Sequence, residues 1–252
     1  MAVTAIITTK KTVGIIMNDE RCDFSPLELL RLQSWLSPAF PTGSYSYSHG
    51  LEWAVEAGYI HDRESLVDWL DADLRYGSGR NEAIFFIEAW RCAIDDNRPK
   101  LFEIAKLAAA FRGTSEFALE TTQQATAGLA TLRQVWPDCV LDWLSSSLRE
   151  GQVQPAPAVV LGVRSARQGI PAALALGAFL QNYIANLVIA GVRLIPLGQI
   201  GGQLTIASLE GAILATSAQA EEATINDLGT AAFTVDMASM AHETQYTRLF
   251  RS

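Results

Sequence analysis

Residues 170–192 read IPAALALGAFLQNYIANLVIAGV, an uninterrupted run without a charged side chain. The run is long enough to span a bilayer. However, Gln181, Asn182 and Asn186 lie in its middle, and neither aromatic belts nor positive flanks frame it. Since a fully buried central helix has the same hydropathy, the run predicts a core helix over residues 171–194. A membrane-embedded helical protein is the alternative that rests on this run alone.

Helical periodicity continues on both sides of this run. Ser25-Pro26-Leu27-Glu28 forms a capping box with proline at the first helical position, which predicts a helix from there to Trp35. Strand-like alternation is nearly absent, because residues 203–206 are too few to build a sheet. Further helices are predicted at 46–57, from Asp62 up to Gly77, and at 82–95, 99–112, 115–135, 138–149, 158–167 and 202–223.

This pattern predicts an all-α fold, a single-domain helical bundle of about eight to ten helices with little or no sheet. Residues 1–24 are expected to form a mobile N-terminal leader. Residues 25–252 are expected to form one domain whose C-terminal tail, from about residue 236 to residue 252, docks on a partner. Between residues 168 and 220 only Arg193 and Glu210 are charged, so this stretch is either the core or a large interface.

The composition excludes several classes of protein. Of the 252 residues, 49% are hydrophobic and 18% are charged, which is incompatible with a disordered chain. The net charge of −8 argues against nucleic acid as a partner, since phosphate binding needs clustered Lys and Arg. The three cysteines, Cys22, Cys92 and Cys139, form neither a disulfide framework nor a zinc motif, which favours the cytoplasm.

Familiar catalytic and cofactor motifs are missing from the sequence. It contains no GxxxxGK[ST], GxSxG or GxGxxG motif. His242-Glu243 begins like the zinc motif HExxH, but Tyr246 occupies the position of the second histidine. His49, His61 and His242 are scattered along the chain, and we interpret them as surface or loop residues. We therefore expect no catalytic residue, no metal site and no cofactor.

Two internal segments depart from what packing alone requires. Residues 37–52, SPAFPTGSYSYSHGLE, form a loop in which Tyr45 offers an apolar ring with a polar tip, as interface residues do. A helix connection that packs its own aromatics explains the loop equally well. Residues 193–203, RLIPLGQIGGQ, follow the core helix; Pro196 and three glycines predict a tight turn, and Arg193 needs a partner or a hydrated edge.

The third unusual segment is the C-terminus, residues 242–252, HETQYTRLFRS. Terminal residues are usually polar and disordered, whereas here Leu249 and Phe250 lie between Arg248 and Arg251. The apolar pair docks either on the chain's own core or on another protein, and we favour the second. Removal of the last several residues is then expected to leave the fold intact and abolish a complex. Loss of solubility would instead indicate docking on the chain itself.

These segments resemble the signatures of a known family, the urease accessory protein UreF. The three stretches are SPAFPTGSYSYSHGLEWAVEAG, VRLIPLGQIGGQ and MASMAHETQYTRLFRS, and their order and spacing agree from about Leu29 to Ser252. The chain departs from the family pattern at residues 117–122 and at Ile200. The resemblance implies an all-α, usually dimeric cytoplasmic protein without enzymatic activity. It also implies that the chain binds the accessory protein UreD/UreH, recruits the GTPase UreG and docks on apo-urease to support GTP-dependent nickel insertion.

The resemblance also implies which residues contact partners, with the tail meeting UreD/UreH and the helical face meeting UreG or a second protomer. These residues are His242, Glu243, Tyr246, Arg248, Leu249, Phe250, Arg251 and Ser252 in the tail, Arg193, Pro196, Gly198, Gln199 and Gln203 at the central turn, and Tyr45 and Glu52 in the first loop. The competing hypothesis is a small-molecule-binding helical protein or enzyme, with a pocket around Arg193, Gln199 and Gln203.

Overall fold

A computed structural model describes residues 25–252, and within this range the chain is all-α with no strand. The all-α prediction is therefore confirmed, while the leader predicted at residues 1–24 lies outside the described range. The helices are α1 (Pro26–Trp35), α2 (Leu51–Glu56), α3 (Arg63–Tyr76), α4 (Ser78–Ile94), α5 (Arg98–Ala110), α6 (Ser115–Val135), α7 (Cys139–Glu150), α8 (Pro157–Arg167), α9 (Ala172–Leu194), α10 (Gly198–Glu222) and α11 (Phe233–His242).

Helix α4 is the centre of the bundle. Most of its side chains are buried, including the polar Asn81, Glu82 and Glu88, and it packs against α3, α5, α8, α9 and α10. The closest approach is to α8 at Gly162, where an added Cβ would lie well under 3.0 Å from the carbonyl oxygen of Phe86. Only glycine lets the two backbones approach so closely, because any side chain would collide with main-chain atoms.

Helix α9 contains the uncharged run that begins at Ile170. Of the helices described, it alone has the length and hydropathy of a membrane span. In this fold α9 packs against α2, α4, α8 and α10, and Leu176, Leu180 and Ile184 on its inner face are fully buried. A core helix of the bundle therefore accounts for its hydropathy.

Several predicted helix boundaries are wrong. The second helix begins at Leu51 rather than near residue 46, because His49 and Gly50 have φ of 56° and 78°, values outside the helical range. Residues Ser44–Ser46 form only a single 3₁₀ turn. Helix α10 begins at Gly198 rather than at residue 202, so the glycines predicted to form the turn lie inside the helix.

Helix α10 has an apolar outer stripe as well as a buried face. Every member of this stripe is exposed, including Ile200 at 79% and Leu214 at 67%. Their spacing alternates between four and three residues, which keeps them on one side of a helix. The α10 stripe consists of Ile200, Leu204, Ala207, Gly211, Leu214 and Ala218. The stretch from 168 to 220, in which only Arg193 and Glu210 are charged, is thus partly core and partly surface.

Candidate functional site

The three unusual segments of the sequence meet in space. The Nη1 atom of Arg193, in the last turn of α9, donates a hydrogen bond to the carbonyl oxygen of Tyr45 at 2.9 Å. Its guanidinium lies 4.3 Å from the centre of the Phe250 ring, which is a cation–π contact. Arg251 donates its main-chain N–H to the carbonyl oxygen of Ser46 at 2.8 Å. The first loop, the end of α9 and the C-terminal tail therefore form one continuous site.

Glu52 holds the tail by its backbone. It lies in the first turn of α2, and only 8% of its surface is exposed. Its carboxylate accepts the main-chain N–H groups of Leu249 at 2.6 Å and Phe250 at 2.9 Å. Hydrogen bonds to a buried carboxylate are stronger than those between neutral groups, so this contact fixes the tail where its apolar pair begins.

His242 joins Glu52 to a second acid at the end of α11. The ring is fully buried, with Nδ1 2.7 Å from Glu116 and Nε2 3.2 Å from Glu52. Arg248 of the tail donates to the other oxygen of Glu116 at 2.9 Å. Burial raises the pKa of Glu116, although His242 and Arg248 act in the opposite direction. Two buried acids thus hold the tail through charged or main-chain donors.

Ser48 and Glu120 hold the last residue. The main-chain N–H and the hydroxyl of Ser48 both donate to the main-chain oxygen of Ser252, each at 2.6 Å. The Ser252 hydroxyl donates to Glu120 of α6 at 2.9 Å. His49, next to Ser48, approaches the same Glu120 oxygen with Nδ1 at 3.3 Å and stacks on Phe117 with ring centres 3.9 Å apart.

The seat of the tail is the site formed by Ser48, Glu52, Glu116 and Glu120. A cavity of about 350 Å³ borders this seat at Glu120. His49, Glu120, Tyr183 and Asp236 are among its polar lining residues, and Phe40 and Phe179 are among the apolar ones. Arg193, Gln199 and Gln203 do not line it, so the pocket of the competing hypothesis lies elsewhere than expected. Among residues 25–252, no group of three His, Cys, Asp or Glu side chains is arranged to hold a metal ion.

The chain is similar in sequence to the proteins of one known family. A family model described as UreF matches residues 60–210. The urease accessory protein UreF of Rhodopseudomonas palustris (strain BisB5) is 46% identical over 228 residues, which cover 89% of this chain and 91% of that relative. The chain belongs to the UreF family. The UreF of Bradyrhizobium diazoefficiens is 47% identical over 224 residues with the same coverage, and that of Magnetococcus marinus is 44% identical over 232 residues, covering 89% of this chain and 97% of that relative.

In this UreF-family chain, the tail residues fall into two groups. His242, Phe250 and Ser252 are buried, as is Glu52 beneath them. The tail thus docks on its own chain, which is the alternative we did not favour from the sequence. The remaining predicted residues are exposed to solvent: Glu243, Tyr246, Arg248, Leu249 and Arg251 in the tail, Arg193, Pro196, Gly198, Gln199 and Gln203 around the turn, and Tyr45 in the loop.

The sequence did not reveal most of the polar groups that hold the tail. Glu116 and Glu120 resemble ordinary surface acids of a helix, and nothing in their spacing indicates burial. His49 and His242 were interpreted as surface or loop residues. For His242 this is wrong, since it ends α11 and is 0% exposed, whereas His49 does lie in a loop but is only 5% exposed. The third histidine, His61, is exposed as expected, with 70% of its side chain accessible.

Proposed function

We propose that this chain is a non-catalytic scaffold in urease maturation. It binds UreD/UreH, and through that complex it recruits the GTPase UreG to apo-urease. Nickel, the metal that is delivered, is then inserted into urease in a GTP-dependent step. The observation that carries the proposal is the docked tail. Its anchors are buried, while Tyr246 is fully exposed and Leu249 is 57% exposed at its surface. A tail fixed in this way presents apolar side chains that the fold itself does not use.

Helix α11, which precedes the tail, adds exposed apolar residues to the partner-binding surface. Phe233, Met237 and Met240 of α11 are each more than half exposed and recur at a spacing of four and three residues. This spacing places them on one side of the helix. An exposed row of Phe and Met rarely remains in water without a partner. We therefore assign the outer face of α11 and the docked tail to UreD/UreH.

The α10 stripe supports a homodimer. Large apolar residues at Ile200, Leu204 and Leu214 alternate with Ala and Gly, which allow the close approach of a second helix. Glu210 is the one charged residue in the first four turns of this helix, so little repulsion opposes pairing. We propose that two protomers pair through this stripe and that the α11 surfaces remain free for other partners.

A scaffold acts by raising the effective concentration of the proteins it holds. When UreD/UreH and UreG are bound to one body, each weak contact becomes intramolecular and the assembly gains stability. We place this process in the cytoplasm. Cys92 and Cys139 are free thiols among the described residues, which fits a reducing compartment.

The test is size-exclusion chromatography with light scattering, as UreD/UreH and then UreG with GTP are added to the chain. We expect a stepwise gain in mass. The double variant Tyr246→Ala, Leu249→Ala should weaken the first complex by about tenfold or more, as expected for exposed aromatic and apolar anchors. Val135→Ala, which truncates a similarly exposed apolar residue at the end of α6, is the matched control. A wild-type mass that no partner changes would overturn the proposal.

A further inference from the structure

A row of four polar side chains, of which three are buried and Tyr183 is half-buried, extends inward from the seat of the tail. Glu120 contacts His49 Nδ1 at 3.3 Å, His49 Nε2 lies 3.1 Å from the Tyr183 hydroxyl, and that hydroxyl donates to Asp73 at 2.6 Å. These residues belong to four separate parts of the fold: α6, the first loop, α9 and α3. The row also borders the cavity through His49, Glu120 and Tyr183.

The hydrogen bonds of this row determine where its protons are. Tyr183 has a single proton, and the short contact to Asp73 uses it, because a carboxylate only accepts. The Tyr183 oxygen then accepts from His49, which requires a proton on Nε2. On the other side of the ring, Nδ1 faces the Glu120 carboxylate and requires a proton as well. A ring that donates from both nitrogens is a doubly protonated imidazolium, and this is the state that the contacts of His49 fit.

Charged groups around the ring favour the same state. Glu82 of α4, which is paired with Arg112, and Asp73 of α3 and Asp236 of α11 are the other carboxyl groups that act on the ring. Burial by itself lowers the pKa of His49, but the charge and hydrogen bond of Glu120, followed by Asp73 and Glu82, outweigh it, so the pKa of His49 is raised. The surrounding carboxylates thus favour the charged ring despite its burial.

Docking of the tail depends on this charge. Ser252 donates to the same Glu120 oxygen that His49 contacts, and the docked tail leaves Glu120 only 8% exposed. A buried carboxylate needs a compensating charge, because it has lost its water. If His49 loses its second proton, Glu120 keeps only the neutral donors Gln124 and Ser252, and release of Ser252 lets water hydrate the carboxylate from the side of the tail.

We propose that the docked tail is a proton-linked latch: His49 carries a second ring proton while Ser252 is seated on Ser48 and Glu120, and loss of that proton releases residues 248–252. Because the folded pKa of His49 is raised, its contribution is complete below the ordinary histidine value of about 6.5 and is lost as pH rises through the folded value. Alkaline conditions therefore open the latch. This inference goes beyond the scaffold function and does not depend on which partner binds.

The first experiment uses the unmodified protein. The chain has three histidines, so their ring signals can be followed separately by NMR between pH 5.5 and 9.5. We expect the His49 ring to be doubly protonated at pH 6.5. Between the ordinary histidine pKa of about 6.5 and the raised pKa of the docked His49, hydrogen-exchange protection of the amides of Leu249, Phe250 and Arg251 should fall by up to about tenfold per pH unit, and above the raised pKa it should level off.

Variants separate the effect of His49 from that of the other histidine beneath the tail, His242. His49→Asn keeps a donor near the position of Nδ1 and accepts the positive φ of 56°, but it cannot carry charge. We expect weaker protection of the tail and no pH dependence above pH 6 once intrinsic exchange is subtracted. His61→Asn, at an exposed position, should behave as the unmodified protein.

Two results would overturn the latch. One is a His49 ring that is neutral at pH 6.5 in the folded, unmodified protein. The other is a tail whose pH dependence persists in His49→Asn. If His49→Asn does not fold, Glu120→Gln tests the latch instead. This variant keeps an acceptor for the Ser252 hydroxyl and removes the negative charge that faces His49. The pKa of His49 must then fall and the tail must lose its alkaline release; an unchanged His49 titration contradicts the proposal.

Discussion

Gly162 marks the point where two core helices approach most closely. A methyl group there would collide with the carbonyl oxygen of Phe86, and Ala89 stands next to it. Both neighbours belong to the central helix α4, so neither can move without displacing the core. We expect Gly162→Ala to lower the free energy of unfolding by about 2–3 kcal/mol, as overpacking of a close-packed core does.

Urea unfolding at constant pH measures this loss. Gly177 on α9 provides the matched control, since an added Cβ there meets nothing within 4 Å. Gly177→Ala should stabilise the protein by about 0.5–1 kcal/mol, because alanine loses less backbone entropy in a helix. Equal effects of the two substitutions would show that the α4–α8 contact is looser than described.

Arg193 was correctly expected to need a partner, but the sequence did not show which groups the partners would be. A lone cation after a long uncharged run was expected to need a partner, and it has two, the carbonyl oxygen of Tyr45 and the ring of Phe250. Neither is an acid, so a search for a charged partner in the sequence fails. Both partners lie far away in the chain, which places them outside any local pattern.

At the scale of elements, the tail is held by its alternate side chains. Phe250 is 4% exposed and packs into the core, whereas its neighbour Leu249 is 57% exposed. Phe250→Ala should cost about 2–4 kcal/mol of stability and release the tail, because a buried aromatic ring is lost. Leu249→Ala should change stability by less than about 0.5 kcal/mol, as surface substitutions do.

Urea unfolding and the hydrogen exchange of residues 248–252 together check this prediction. The two substitutions are neighbours and remove apolar side chains in the same segment, so the comparison isolates burial. If Leu249→Ala proves the more damaging substitution, the tail docks in a different register from the one described here.

The α10 stripe yields a prediction about association. Leu204→Glu places a charge in the middle of the proposed dimer contact and should shift the protein from dimer to monomer at micromolar concentration. The reason is that an unpaired charge cannot be buried between two apolar surfaces without a large cost. Sedimentation equilibrium measures the change. Gln219→Glu, exposed on the same helix but off the stripe, should leave the dimer intact; a monomeric unmodified protein contradicts the assignment of the stripe.

Local signals in the sequence predicted most elements well. The capping box at Ser25 and the N-caps at Asp62 and Asp138 are present, because a cap needs only residues within three positions of itself. The start of α10 was predicted too late, since Gly201 and Gly202 were taken as turn residues. Tertiary packing overrides that preference: Gly202 is buried, and an added Cβ there would crowd Val192 of α9.

At the scale of the whole molecule, the fold class was accessible from the sequence and the site was not. Helical periodicity is repeated in every segment, so the all-α fold does not depend on any one residue. The seat of the tail, in contrast, is built from Ser48, Glu52, Glu116 and Glu120, which meet residues more than one hundred positions away. One sequence contains no signal for such pairs, and only the assembled structure reveals them.

Ser48 and Ser252 are 204 residues apart in the chain, so the loop that binds the tail is synthesised long before the tail itself. A ribosome adds about 5–20 residues per second, so the loop and α2 exist for roughly 10–40 s before the tail has been made. Glu120 is 132 residues from Ser252, so Ser48, Glu52 and Glu120 are all present without the tail for roughly the last 7–26 s of synthesis. Until the tail is made, an extended segment of this chain or of another protein can bind to the same hydrogen-bond donors and acceptors of Ser48, Glu52 and Glu120. The order of translation, as well as the final free energy, therefore determines what first occupies this place.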